Sequence, residues 1–457
     1  MTVIEVLAQQ ACAIAGQALP ERTLHAAKRA VLDWFAATVP GTESALTASL
    51  KAALANELGE QGVLVLGDRR RAQPRQAALL NGTASHVAEF DDIFRDALYH
   101  PGSPIIAAAL ALGEAEQISG ELLLKAVING YELSTRIGTA LQPEHYKHWH
   151  TTGTVGCFGA AAAAATILKL DETRFAHALG TVGTFAAGLQ QAFRSDTMSK
   201  PLHAGRAAEA GVLAALLAKE GFTGALDILE GEVGYGVVAA NGRADWAKAT
   251  EGLGESFNIE QVTIKDHGCC GHTFAAIDGA KALKAAHGFV WQDIERITVR
   301  TYRTALDVVG RRSVSTPFEG RFSLRFTMAS VLIHDRLRLD AFTPSRLADT
   351  DIRHVMAITE LVVDDELDRL YPNKRGARVI IALKDGRTLE RLQSHRRGDP
   401  EEPLSDEELM EKFEDLVVPS LGEEKAKALQ QAIWQLETGR LAVLTDLLAE
   451  AYTCDPA

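Results

Sequence analysis

The sequence predicts a mainly α protein in which an all-helical domain accompanies a smaller α+β one. Three observations carry this. Up to about residue 255, Ala and Leu dominate and apolar residues recur at spacings of three and four, the period of an amphipathic helix. Near residue 256 the pattern gives way to short alternating and β-branched segments. After the polar stretch 396–403 (RRGDPEEP), the helical period returns. A chain of 457 residues fits two or three domains at roughly 100–200 residues each.

Helices are expected near 5–18, 21–38, 75–94, 104–117, 121–141, 154–168, 172–190 and 200–220. Pro20, Pro40-Gly41 and Ser119-Gly120 punctuate them, as residues that end or redirect helices do. Only 63–66 looks strand-like in this part. Many helices with short joints argue for a bundle rather than a parallel sheet. Further on, 294–302 alternates Ile297, Val299 and Thr301, and 361–363 is short and partly β-branched. Segments 377–383 and 388–392 flank Asp385-Gly386, a hairpin turn signal. Helical patterns at 273–286 and 323–335 lie between these strands, giving an α+β domain of about 260–393. Ser405 and Glu408 then have capping-box spacing at the start of the last helices.

Composition narrows the function classes. At 47% hydrophobic and 23% charged, the chain has an ordinary globular balance and is not largely disordered. The formal net charge of −13 argues against non-specific nucleic-acid binding, and an anionic substrate would need a local basic pocket. Five cysteines without CxxC spacing give no disulfide framework or zinc knuckle and suit a cytoplasmic setting. The start MTVIEVLAQQ lacks a signal-peptide pattern. The apolar stretch 158–168 is well short of the ~20 residues that span a bilayer, so no membrane partner is expected. GxGxxG after a strand, GxxxxGK[ST], HExxH and GxSxG are all missing, so the expected chemistry uses side chains alone.

Five clusters could carry it. His86, Glu89, Asp91, Asp92 and His100 lie within fifteen residues. On a helix over 75–94, Glu89 and Asp92 would share a face with His86. Close acids raise one another's pKa and serve proton transfer or bind a hard cation; solvated acids at a polar helix end fit the same pattern. His145, Tyr146, His148 and His150 precede TTGTVG and an Ala-rich helix that Thr151 or Thr152 would cap. His150 beside a helix N-terminus would be held neutral, as a base requires; a surface loop with incidental histidines is the alternative. Ser199 and Pro201 mark a helix start, which places the Lys200 cation against the helix dipole with His203 one turn on. A lysine and a helix N-terminus together can bind an anion; a hydrated surface lysine is the plain alternative. Lys265, His267, Cys269, Cys270 and His272 precede another helix start. Cys270 is either a nucleophile or a small packing residue. Finally, in 319–323, Arg321 next to Ser323 offers a carboxylate fork or a solvent-facing arginine.

These residues sit in stretches that resemble the MmgE/PrpD family. The matching stretches are NGTASHVAEFDD with HPGSP (81–104), HWHTTGTVGCFGAAAAAA (148–165), MSKPLHAGRAAEAGVLAALLA (198–218), IKDHGCCGHTFAAIDGA (264–280), TPFEGRFSLRF (316–326) and ALKDGRTLERLQSHRRGDPEEPLSDEELMEKF (382–413). They follow the family order over nearly the whole chain. The resemblance implies a large helical domain built from both chain ends, 1–258 and 396–457, and a smaller α+β lid domain, 259–395. It also implies a homodimer formed largely through the helical domains, a small carboxylate substrate, and no metal or organic cofactor. By motif position, Asp91, His100, His150, Lys200 and Lys265 match the family's active site, and Glu89 matches a position that is Asp in some decarboxylases. Two departures stand out. The family's Tyr-Pro in the fourth motif is His267-Gly268 here, with Phe274 where a later histidine falls. A common lysine of the fifth motif is Arg321. These argue against a simple transfer of the usual tricarboxylate substrates.

The family's reactions, dehydration of 2-methylcitrate, decarboxylation of cis-aconitate and epimerisation of iminodisuccinate, share one problem. A carbanion forms beside a carboxylate and needs a positioned base and fixed positive charge. The expectation is therefore a cofactor-independent lyase on a small di- or tricarboxylate, with dehydration leading and decarboxylation or epimerisation as alternatives. Asp91, His100, His150, Lys200, Lys265 and His267 are the expected catalytic residues. Glu89, Tyr146, His203, Cys270, His272, Arg321 and Ser323 are the expected substrate contacts. A catalytically silent scaffold dimer is the reading from another class.

Overall fold

The computed structural model describes residues 1–195, 197–371 and 374–453, and the chain divides into two compact units: 1–264 with 406–457, and 265–405. The first is mainly helical. Thr2 and Glu5 form a capping box that opens α1 (Val3–Gly16), and α2 (Glu21–Gly41) follows. A short antiparallel pair, β1 (Val63–Leu64) and β2 (Arg71–Ala72), comes next. The strand-like 63–66 supplies the first strand of this small pair within an otherwise helical unit. Pro74 opens α3 (Pro74–Ser85), followed by α4 (Gly102–Ala115), α5 (Gly120–Leu141), α6 (Thr151–Ile167), α7 (Glu172–Val182) and α8 (Ser199–Lys219).

Every residue of α6 is buried. Its Gly- and Ala-rich surface lets α4, α5 and α8 pack closely around it. Glycine has a specific role where α8 meets α3. A Cβ on Gly205 would run into the carbonyl oxygen of Leu79 and the hydroxyl of Thr83, and one on Gly82 would lie 3.1 Å from Gly205 Cα. This close approach seats the start of α8 against the end of α3.

Two expected helices are shorter than their periodicity suggested. The 75–94 pattern leaves the helix after Ser85, and Glu89 takes φ +60°, a left-handed conformation that no α-helix continues. The predicted shared helical face of His86, Glu89 and Asp92 therefore does not exist. The 172–190 pattern ends at Val182. Beyond it the chain runs beside 148–150: His150 N donates to Gly188 O at 2.9 Å and Gln190 N to His148 O at 3.0 Å. These cross-chain bonds replace helical ones.

In the second unit, α9 (Phe274–His287) packs on a four-stranded sheet of order β4-β3-β5-β6. Its strands are β3 (Ile294–Thr301), β4 (Thr359–Val363), β5 (Ala377–Leu383) and β6 (Thr388–Gln393). Between β3 and β4 run α10 (Leu324–His334) and α11 (Thr350–Ala357), the crossover that their parallel pairing requires. The hairpin at Asp385-Gly386 joins β5 to β6, with Gly386 at φ +90°. Ile297, Val299, Val379 and Ile381 are fully buried and form the floor of this unit's core.

The chain then returns to the first unit through α12 (Asp406–Leu421), α13 (Glu423–Trp434) and α14 (Leu441–Thr453). A buried ion pair fixes α12: Lys412 Nζ lies 2.5 Å from Asp33 Oδ1 on α2 and donates to Phe90 O at 3.0 Å. The C-terminal helices thereby hold the loop that follows α3. Among the described residues, no helix is long and apolar enough to cross a membrane. Cys454 lies outside the described residues, and no disulfide joins Cys12, Cys157, Cys269 and Cys270.

Candidate active site

In the helical unit, the loop after α3, the start of α6 and the start of α8 bring six of the thirteen expected residues together: Glu89, Asp91, His100, His150, Lys200 and His203. The centre is Asp91, 1% exposed. Its Oδ2 lies 2.5 Å from His86 Nδ1 and 3.3 Å from His100 Nδ1, and accepts from Ser103 Oγ at 3.0 Å. His100 Nδ1 also lies 2.8 Å from the carbonyl of Asp92, and its backbone N–H donates to Thr152 Oγ1 at 3.3 Å. His86, Asp91 and His100 place one ligand atom each within 4.8 Å of one another, close enough to share a metal ion. The same three are joined at hydrogen-bond and ion-pair distances, which suits proton transfer as well.

His150 follows. It occupies the N-cap position of α6, so neither Thr151 nor Thr152 is the cap. The imidazole has no capping bond. Instead its Nδ1 lies 2.9 Å from His203 Nδ1 on the second turn of α8. Its ring stacks at 5.5 Å on His86, whose ring meets His100 edge-on at 5.0 Å. Burial holds the His150 pKa well below the usual histidine value, and neighbouring His86 and Lys200 push the same way. His203 is pushed down to about 4, again chiefly by burial. Both imidazoles are therefore neutral bases near neutral pH.

Lys200 comes from the first turn of α8, which begins at Ser199 with Met198 at the cap position. Ser199 is thus inside the helix and does not cap it. Lys200 Nζ pairs with the Glu89 carboxylate, and both residues are only 9% exposed. The left-handed backbone of Glu89 aims that carboxylate at α8. Such strain persists only where surroundings impose it. Asp92 is turned away from this group. It accepts from Tyr131 Oη at 2.7 Å and Gly102 N at 3.0 Å, and burial pushes its pKa up to about 7. Tyr146 is half-buried, and its carbonyl accepts from the Gln190 side chain.

The remaining expected residues belong to the α+β unit. Lys265 and His267 are each 1% exposed. His267 Nε2 lies 3.0 Å from Asp278 Oδ1, while the Cys270 N–H donates to Arg321 O at 3.0 Å. The Arg321 guanidinium lies 5.2 Å from the Phe342 ring centre. Two side chains have structural partners. His272 Nδ1 lies 2.6 Å from Tyr302 Oη, and Ser323 Oγ caps α10 by accepting from Phe326 N at 3.3 Å.

Sequence reasoning gave His86 no role of its own and overlooked Ser103, yet both touch Asp91. Their nearness in the chain to Asp91 and His100 was the available signal. Nothing in the sequence indicated that Thr152 would meet His100.

A helical unit with a buried histidine, lysine and carboxylate group, interrupted by an α+β unit, has a clear counterpart among known families. Residues 5–247 match the MmgE/PrpD N-terminal domain and residues 267–438 the MmgE/PrpD C-terminal domain, and the chain belongs to this family. Its relatives include the cis-aconitate decarboxylase-like protein oryM of Aspergillus oryzae, 27% identical over 455 residues, covering 94% of this chain and 93% of that protein. The cis-aconitate decarboxylase of Homo sapiens is 28% identical over 445 residues, covering 94% and 91%. That of Aspergillus terreus is 25% identical over 460 residues, covering 94% and 92%.

Proposed function

We propose that this protein is a lyase that acts on a small di- or tricarboxylate through a carbanion formed beside a carboxylate, using side chains alone. The observation that carries this is the buried group in which neutral His150 and His203 adjoin the Glu89–Lys200 pair and the Asp91–His100–His86 chain. Neutral imidazoles supply a base, and an ammonium in a poorly solvated site stabilises developing negative charge. His150 or Lys200 moves the proton at carbon. His100, Lys265 and Arg321 bind carboxylates, with Glu89, Tyr146, His203, Cys270, His272 and Ser323 as further contacts. Decarboxylation leads, because the relatives carrying this family's domains are named cis-aconitate decarboxylases. In that outcome carbon dioxide leaves with no prior proton abstraction, and the carbanion it leaves takes its proton from the Lys200 ammonium, since the neutral imidazoles have none to give. Dehydration is the second reading, favoured by the Asp91 hydrogen-bond chain, since Asp91 or His267 would protonate a leaving hydroxyl. A homodimer through the helical unit and a cytoplasmic setting complete the proposal.

The test is a panel of cis-aconitate, 2-methylcitrate and citrate followed by NMR in deuterated water. Carbon dioxide release marks decarboxylation, a new double bond without it marks dehydration, and label alone marks epimerisation. Lys200→Ala should lower turnover by roughly a hundredfold or more. Thermal stabilisation by these carboxylates without any turnover would replace the enzyme with a binding protein.

A further inference from the structure

The α+β unit carries a second feature that the proposed reaction leaves unused. A cavity of about 960 Å³ opens where β3 and β4 begin, lined by residues from the start of these two strands, the end of β5 and the segments that connect β3 to β4. Four arginines from four segments line it: Arg296 on β3, Arg312 on the connection before α10, Arg325 on α10 and Arg353 on α11. Arg296, Arg312 and Arg353 are exposed, and among the described residues none of the three forms an ion pair or a side-chain hydrogen bond. The lining acids are Glu295 and Glu360, so the charge facing the cavity is positive. This occurs in a chain of net charge −13. The two units share that charge unequally: residues 265–405 hold 23 Lys and Arg against 20 Asp and Glu, whereas the rest hold 24 against 40.

The backbone is shaped around this cavity. A register shift in β3 between Ile294 and Arg296 turns Glu295 and Arg296 outward in succession, where regular pleating would bury one of them. Bulges of this kind re-aim side chains and recur beside binding sites. Arg325 ties the wall together: its guanidinium donates to Thr359 O at 3.1 Å and Gly310 O at 2.8 Å, joining the start of β4 to the connection that bears Arg312. Burial and the neighbouring Arg312 both disfavour its charge, a crowding that a bound anion would relieve. Val314, Leu347, Met356 and Ile358 add an apolar wall.

We propose that this cavity is a binding site for an organic polyphosphate of the nucleotide or coenzyme A type. Guanidinium forks match phosphate oxygens in pairs. Their spread over several segments fits more than one anionic group, and the apolar wall fits a heteroaromatic or acyl body. The volume lies within the range of small-molecule sites. None of the residues lining the cavity is among those assigned to the lyase reaction, so the proposal stands whether or not that assignment does.

Isothermal titration calorimetry of the full chain with ATP, coenzyme A, adenosine and inorganic tripolyphosphate tests this at fixed ionic strength. ATP or coenzyme A should bind, adenosine should not, and the tighter of the first two identifies the source. Arg312→Ala with Arg353→Ala should weaken that binding by roughly tenfold or more, the scale of one lost charged hydrogen-bonding group. Both arginines are exposed, so thermal unfolding should stay at the wild-type temperature. Absence of binding by ATP and coenzyme A, or binding unchanged in the double variant, overturns the proposal. Tripolyphosphate binding as tightly as either overturns the organic body.

Discussion

At the scale of single residues, burial decides protonation. His145 and His203 are pushed down to about 4 in the folded protein, whereas an exposed imidazole titrates near 6.5. Between those values the unfolded chain binds more protons, so these groups make stability rise with pH. Their contribution is complete above about 6.5 and is lost as pH falls toward 4. Asp92 acts in the opposite sense. Its carboxyl rises from 3.8 to about 7, so the folded state holds the extra proton and this group costs stability as pH rises through that range. Asp92→Asn should therefore gain stability relative to wild type between pH 5 and pH 8, by about 1 kcal/mol or more. Urea denaturation at both pH values measures it, and an equal difference at the two would show that Asp92 is already ionised. The sequence displayed these residues but not their states. Asp91 and Asp92 are adjacent, yet one collects imidazoles and the other faces Tyr131, because only the folded loop sets which way each points.

At the scale of elements, the site depends on how closely α8 approaches α3. Gly205 and Gly82 make that contact, and a methyl group at 205 meets Leu79 and Thr83. Gly205→Ala should cost about 1–3 kcal/mol, the usual penalty for overpacking. It should also lower turnover, because Lys200 and His203 ride on the displaced helix. Unfolding and activity measured on one preparation check both effects. Unchanged stability would show that the helices separate freely. Periodicity revealed most helices, since α1, α2, α5 and α8 bury apolar faces at helical spacing. It overran at 86–94 and 183–190, where apolar and polar residues still alternate helically but backbone groups bond across to other segments.

At the scale of the whole molecule, the two ends of the chain meet in the helical unit. Lys412 and Asp33 are 0% and 1% exposed, so neither charge can fall back on water if its partner goes. Lys412→Met leaves the Asp33 carboxylate buried and Phe90 O without this donor. The expected loss is about 3–5 kcal/mol, read from urea denaturation. A loss well under 1 kcal/mol would mean that water reaches the pair. Because Phe90 adjoins Asp91, hydrogen exchange in the 86–100 loop should quicken in the same variant.

The sequence alone determined the helical period, the strand alternation, the hairpin at Asp385-Gly386 and the motifs that mark the family, because each is written in neighbouring residues. Tertiary structure alone decided that Glu89 turns left-handed to meet Lys200, that His150 lies against His203, and that Arg296, Arg312 and Arg353 line one cavity. Those relations join residues far apart in the chain. Their energies come from burial and from partners that exist only once the helices and strands have packed.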